Sequence, residues 1–106
     1  LHIDVGTRAY LDIRVVNRGS TAWSRATQAF LPYPVNIGAV ASDGVHPTTN
    51  YRSVLPRDIG PGETDIMTLK VGPFRHAGRY TLQVGVVQEH VAWFDGGETL
   101  QVVVTD

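Results

Sequence analysis

Three groups of residues in this chain have types and spacings that could do chemistry. Asp58, Glu63 and Asp65 crowd around Pro61-Gly62; clustered carboxylates can hold calcium through their oxygens or divide general acid and base work between them. The simpler reading of each is a turn solubiliser or an edge-strand charge. Glu89 lies between Gln88 and His90, four residues before Trp93. A carboxylate beside an indole could accept hydrogen bonds from sugar hydroxyls while the flat ring covers the sugar face. The same tripeptide also suits the polar tip of a reversing hairpin, which is the preferred reading. The four histidines, His2, His46, His76 and His90, show neither His-x-His nor His-x-x-x-His spacing. Zinc requires several close ligands in fixed geometry, so isolated, exposed imidazoles and no metal are expected.

The remaining routes to catalysis lack their parts. There is no cysteine, which excludes thiol nucleophiles, thiolate metal sites and disulfides. No Gly-x-Ser-x-Gly elbow is present, and Gly96-Gly97 after Asp95 reads as a bulge or turn rather than a phosphate cradle. No catalytic residue and no cofactor is therefore expected. The aromatic residues are left as binding candidates. Trp23 suits either a sugar platform or, in preference, a cap over one end of a core, beneath the loop of residues 24–30. Trp93 and Phe94 are adjacent, so in a regular strand they point to opposite faces and only one of them can be core.

The elements that must position these residues are strands. Leu11, Ile13 and Val15 alternate with Asp12 and Arg14, the period of a half-buried strand, and Asn17-Arg18-Gly19-Ser20 ends it with turn residues. Tyr33, Val35, Ile37, Ala39 and Ala41 form a second alternating set, whose start Pro34 places at an edge or outside the ladder. A weaker strand is expected over residues 50–54. Pro61-Gly62 fits the central positions of a type II turn, with Gly62 supplying the positive φ. The turn opens a strand over residues 63–71 that points Met67, Leu69 and Val71 inward. Tyr80, Leu82, Val84 and Val86 then share one face, opposite Thr81, Gln83 and Gly85, and Leu100, Val102 and Val104 line the last strand. With a short strand at residues 3–5, this gives seven to eight strands in two packed antiparallel sheets.

A chain of 106 residues is one domain, large enough for a single core. Nine basic and ten acidic residues give a net charge of −1, which argues against a phosphate-tracking nucleic-acid surface. No apolar stretch approaches the roughly 20 residues of a membrane helix, and Leu1-His2-Ile3-Asp4 does not read as a signal peptide. Without an initial methionine the chain reads as a module of something longer.

Gly78-Arg79-Tyr80-Thr81-Leu82 resembles the tyrosine corner of immunoglobulin-like sandwiches, in which the Tyr80 hydroxyl would bond a backbone group upstream and Leu82 would stand in the core. Four further stretches, Val16-Asn17-Arg18-Gly19 with Trp23, Pro34-Val35-Asn36-Ile37-Gly38, residues 55–63 and residues 87–94, extend the likeness over most of the chain. It resembles the immunoglobulin-like modules appended to bacterial glycosyltransferases, methyltransferases and other surface-polysaccharide enzymes. The resemblance implies an immunoglobulin-like β-sandwich that is a non-catalytic accessory module, positioning a neighbouring domain of the same polypeptide or mediating protein contacts. The alternative is a carbohydrate-binding module using Trp23, Glu89, Trp93 and Phe94, with Tyr33 and Tyr51 in the wider aromatic set and polysaccharide as partner. Pro61, Gly62, Gly78 and Tyr80 are expected to be structural. An unpaired edge strand would allow a homodimer. The implied compartment is the bacterial cytoplasm beside a sugar-transfer enzyme, or else the cell surface or medium.

Overall fold

The computed structural model describes residues 1–23, 35–89, 92–94 and 97–106. Eight strands and no helix form among them: β1 (His2–Asp4), β2 (Ala9–Val16), β3 (Val35–Ser42), β4 (Thr49–Val54), β5 (Thr64–Val71), β6 (Gly78–Gln88), β7 (Ala92–Trp93) and β8 (Glu98–Thr105). The larger sheet has the order β1-β8-β6-β3-β4, with β7 also pairing β6, and the smaller sheet is β2-β5. The start of the second alternating set, Tyr33 and Pro34, lies outside the described residues.

One expectation needs correction: the sheets are not purely antiparallel. β1 runs parallel to β8, with Ile3 opposite Val104. The first and last strands are joined by no hairpin, so no short turn forces them into opposite directions. Backbone bonds from Val103 N–H to the Leu1 carbonyl and from Val5 N–H to the Thr105 carbonyl fix the pairing at both ends.

Strand alternation places the core between the sheets. Leu69 and Val71 of β5, Ile37 of β3, Leu82 of β6 and Val102 of β8 are fully buried, joined by Leu55 and Ile59 from the segment between β4 and β5. β6 departs from strict alternation near its end: Val86 is only half-buried while Val87, one position later and facing outward, is buried. β3 departs further, since every residue of Val35-Asn36-Ile37-Gly38-Ala39 is buried. A strand buried on both faces has something covering its outward side.

Two local devices set the ends of the strands. Gly62 has φ of +78° and the Glu63 N–H bonds the Gly60 carbonyl at 3.1 Å, closing the expected Pro61-Gly62 turn. Asn17, fully buried, ties that turn to the end of β2. Its backbone N–H and carbonyl pair with Glu63 and Gly62. Its side-chain amide donates to the Thr21 and Ile59 carbonyls, both at 2.9 Å, and its Oδ1 accepts the Gly19 N–H at 3.0 Å. At the other end, Tyr80 follows Gly78 into β6 and its hydroxyl donates to the His76 carbonyl at 2.8 Å, the backbone bond expected of a tyrosine corner.

These bonds differ in weight. Asn17→Ala strips partners from two carbonyls and an N–H and is expected to cost about 3 kcal/mol, whereas Tyr80→Phe removes one hydrogen bond and costs about 1 kcal/mol. Urea unfolding checks both, with the midpoint moving and the slope unchanged.

Candidate functional site

The covering of β3 comes from the β6–β7 hairpin. Val87 pairs with Trp93 and Gln88 with Ala92, so the chain reverses just past Glu89, as its polar tripeptide suggests; His90 lies outside the described residues. From this hairpin the Trp93 ring reaches back across the outward face of the larger sheet. There Gly38 and Gly85 are direct cross-strand partners, and their missing side chains make room for the indole. A Cβ on Gly38 would stand 2.8 Å from Trp93 Cη2 and one on Gly85 3.4 Å from Cε3. Interior strand glycines of this kind mark a close approach.

A polar network holds the far side of the ring. The Arg52 guanidinium, on β4 opposite Gly38, stacks 4.8 Å from the Trp93 centroid. Its Nε donates to Glu89 Oε2 at 3.1 Å and its Nη1 to the Tyr51 carbonyl at 3.0 Å. Asn36 Nδ2 donates to the same Glu89 oxygen at 2.9 Å. Asn36 Oδ1 is buried with no donor among the described residues. Glu89 therefore orients the cation that flanks the indole, a role that its position in the sequence did not suggest.

Beyond Trp93, on the side away from Asn36, the outward face sinks into a hollow of about 320 Å³. Gly85 and Gly97 form its floor, Trp93 one wall, and Val40, Gln83 and Thr99 the row opposite.

The four binding candidates do not form one cluster. Trp23 and Phe94 pack together at 5.8 Å between centroids, half-buried against the core. Trp23 is also held by reciprocal backbone bonds to Ile59. Trp93 and Glu89 sit outside, and Trp93 keeps 42% of its surface exposed. The strand parity that separates neighbouring residues thus sends Phe94 inward and Trp93 outward. Of the wider aromatic set, Tyr51 packs toward Phe74 and Tyr33 lies outside the described residues. Sequence reading missed Gly38, Arg52 and Asn36; the one available signal was a glycine at an interior strand position in both β3 and β6.

The other chemically suggestive groups are engaged elsewhere. Arg57 binds Glu63 at 3.1 Å and Asp65 at 3.0 Å, and Glu63 Oε1 also accepts the Gly60 N–H, so the acidic group around the turn is organised as its brace. The histidines are not all isolated as expected. His46 and His76, thirty residues apart, stack face to face with centroids 4.0 Å apart and planes 4° from parallel. Stacked rings do not converge their nitrogens, and no group of three metal-ligating side chains occurs among the described residues. The Asp43 carboxylate takes hydrogen bonds from the His46 ring at 2.6 Å and from the N–H groups of His46 and Val45. These hold its pKa far below the ordinary 3.8, the His46 ring most of all.

With this geometry in view, the chain finds no match among family models, curated proteins or solved structures.

Two outcomes are expected. In a Trp23→Phe background, where Trp93 alone emits, Gly38→Ala displaces the indole, shifts its emission to the red and weakens its near-ultraviolet circular dichroism. Because the folded-state pKa of Asp43 is depressed, its contribution to stability is complete above the ordinary value of 3.8 and is lost as pH falls below it. Urea midpoints measured against pH should therefore fall more steeply below that value in the native protein than in Asp43→Asn.

Proposed function

We propose that this chain is a non-catalytic accessory module, an immunoglobulin-like sandwich that docks a neighbouring domain through the outward face of β2 and β5. Several features support the sandwich reading. β3, β6 and β8 lie side by side with β4 beyond them, β2 pairs β5 in a separate sheet, and a tyrosine corner enters the middle strand of the larger sheet. The likeness of residues 55–63 and 87–94 to modules of surface-polysaccharide enzymes makes a sugar- or methyl-transferring domain the natural neighbour.

The observation that carries the docking surface is the placement of apolar side chains. Tyr10 and Ile66 are 65% and 62% exposed and Val16 is also exposed, and strand register puts all three on one face of the smaller sheet. Arg14 is opposite Ile66, Val16 opposite Thr64 and Tyr10 opposite Lys70. Apolar side chains interleaved with Asp12, Arg14 and Lys70 make a surface of the kind found between domains, where apolar contact is framed by charge. A module that acts by positioning needs such a face and no reacting group.

In a polypeptide that carries these residues beside a catalytic domain, Ile66→Lys with Tyr10→Glu should weaken the association of the two domains by roughly thirtyfold, the scale of an interface hot spot. The same pair should lower the neighbour's melting temperature without unfolding the module. If neither association, stability nor activity of the neighbour changes, and deleting residues 1–106 is equally silent, the reading fails.

A further inference from the structure

We infer that the hollow beside Trp93, on the sheet face opposite the proposed docking surface, binds a single neutral pyranose ring. Its construction matches that ligand. A pyranose presents a patch of C–H groups on one face and hydroxyls around its rim, each hydroxyl both donor and acceptor. The hollow offers a flat indole as one wall and a floor of two glycines that brings the backbone close. Opposite stand Gln83, whose amide both donates and accepts, and Thr99, whose hydroxyl does the same.

Gln83 and Thr99 come from neighbouring strands in direct register, so their spacing is set by the ladder and not by a loop. Among the described residues neither side chain has a hydrogen-bond partner. The indole is likewise fixed before any ligand arrives, seated on Gly38 and Gly85 and flanked by an Arg52 that Glu89 holds in place. A preformed site of this kind loses little entropy on binding.

The lining also discriminates against other small ligands. Among the described residues it contains no lysine, arginine or histidine, which disfavours phosphates, uronates and other anions. A wholly apolar ligand would strip water from Gln83 and Thr99 without replacing it. The volume of about 320 Å³ lies at the small end for ligand pockets, which suits one ring of a chain whose neighbours remain in solvent.

The test is a ¹H–¹⁵N titration of the 106-residue chain with methyl glycosides of glucose, galactose, mannose and fucose, with N-acetylglucosamine and N-acetylgalactosamine, and with glucuronic acid as the charged control. At least one neutral sugar should give saturable shifts at Gly85, Thr99 and the Trp93 indole N–H, with a dissociation constant on the order of 1 mM, and glucuronic acid should give none. Trp93→Ala should weaken binding at least tenfold. Val40→Phe, which fills the hollow while leaving Trp93 in place, should do the same with an otherwise native spectrum, and Trp23→Phe should leave binding unchanged. Silence from every neutral sugar with the native chain overturns the assignment, as do shifts that survive Val40→Phe or that cluster around Trp23. Because the docking variants alter the opposite face, their failure and the failure of this titration are read separately.

Discussion

The outward site and the inward core are both set by one strand that is paired on both edges. β6 hydrogen-bonds β3 along one side and β8, then β7, along the other, so it cannot rotate or slip by a residue without turning its whole apolar set to the wrong side. Its inward residues Tyr80, Leu82 and Val84 are locked into the core. Period-two geometry then leaves no choice about the rest: Gln83, Gly85 and Val87 must face outward. The hydroxyl bond of Tyr80 fixes one end of the strand and the β7 hairpin fixes the other. The outward face is in this sense a by-product of core packing, positioned with the precision of the core.

A glycine in the middle of a central strand forfeits side-chain packing and adds entropy to the unfolded chain, a cost of roughly 0.5–1 kcal/mol. This chain places two of them opposite each other, Gly38 and Gly85, and then covers the gap with Trp93. Burying the outward side of β3 beneath an indole recovers apolar area, and Val87 becomes buried on the side where a solvent-facing residue was due. A small side chain at either position in place of glycine would have filled the gap with fewer parts. The Arg52–Glu89 pair is partly exposed and worth little as a stabiliser; its effect is to hold the guanidinium beside the ring.

The features legible in the sequence were the local ones. Pro61-Gly62 specifies its turn through the φ of two adjacent residues, and Tyr80 specifies its corner through a bond to a carbonyl four residues upstream. Strand alternation gave the inward faces of β2, β5, β6 and β8 for the same reason, since period two is a property of neighbours. The outward site was not legible because no two of its parts are close in the chain. Arg52 meets Glu89 across 37 positions and Asn36 meets it across 53, and Gly38 finds Gly85 only once β3 has paired with β6. The stacking of His46 on His76 is hidden in the same way. Trp23, Trp93 and Phe94 look alike in composition, and only sheet parity separates the pair that packs inward from the ring that faces out. The parallel pairing of β1 escaped because turn chemistry predicts hairpins and says nothing about strands that meet without one.

The two proposed roles fall on opposite faces of a two-layer fold, and that division follows from its asymmetry. The larger sheet has enough neighbouring strands to build a recessed surface from side chains two rows apart, with glycines for depth and an indole for a wall. A two-stranded sheet has too few rows to enclose anything, so the outward face of β2 and β5 is open. An open face with Tyr10, Val16 and Ile66 among charges suits contact with another protein surface, while a hollow lined by Gln83, Thr99 and Trp93 suits a small ring with hydroxyls on its edge. A module joined to its neighbour through the β2–β5 face would present the hollow outward, so the proposed sugar site would stay open to solvent when the neighbour is docked.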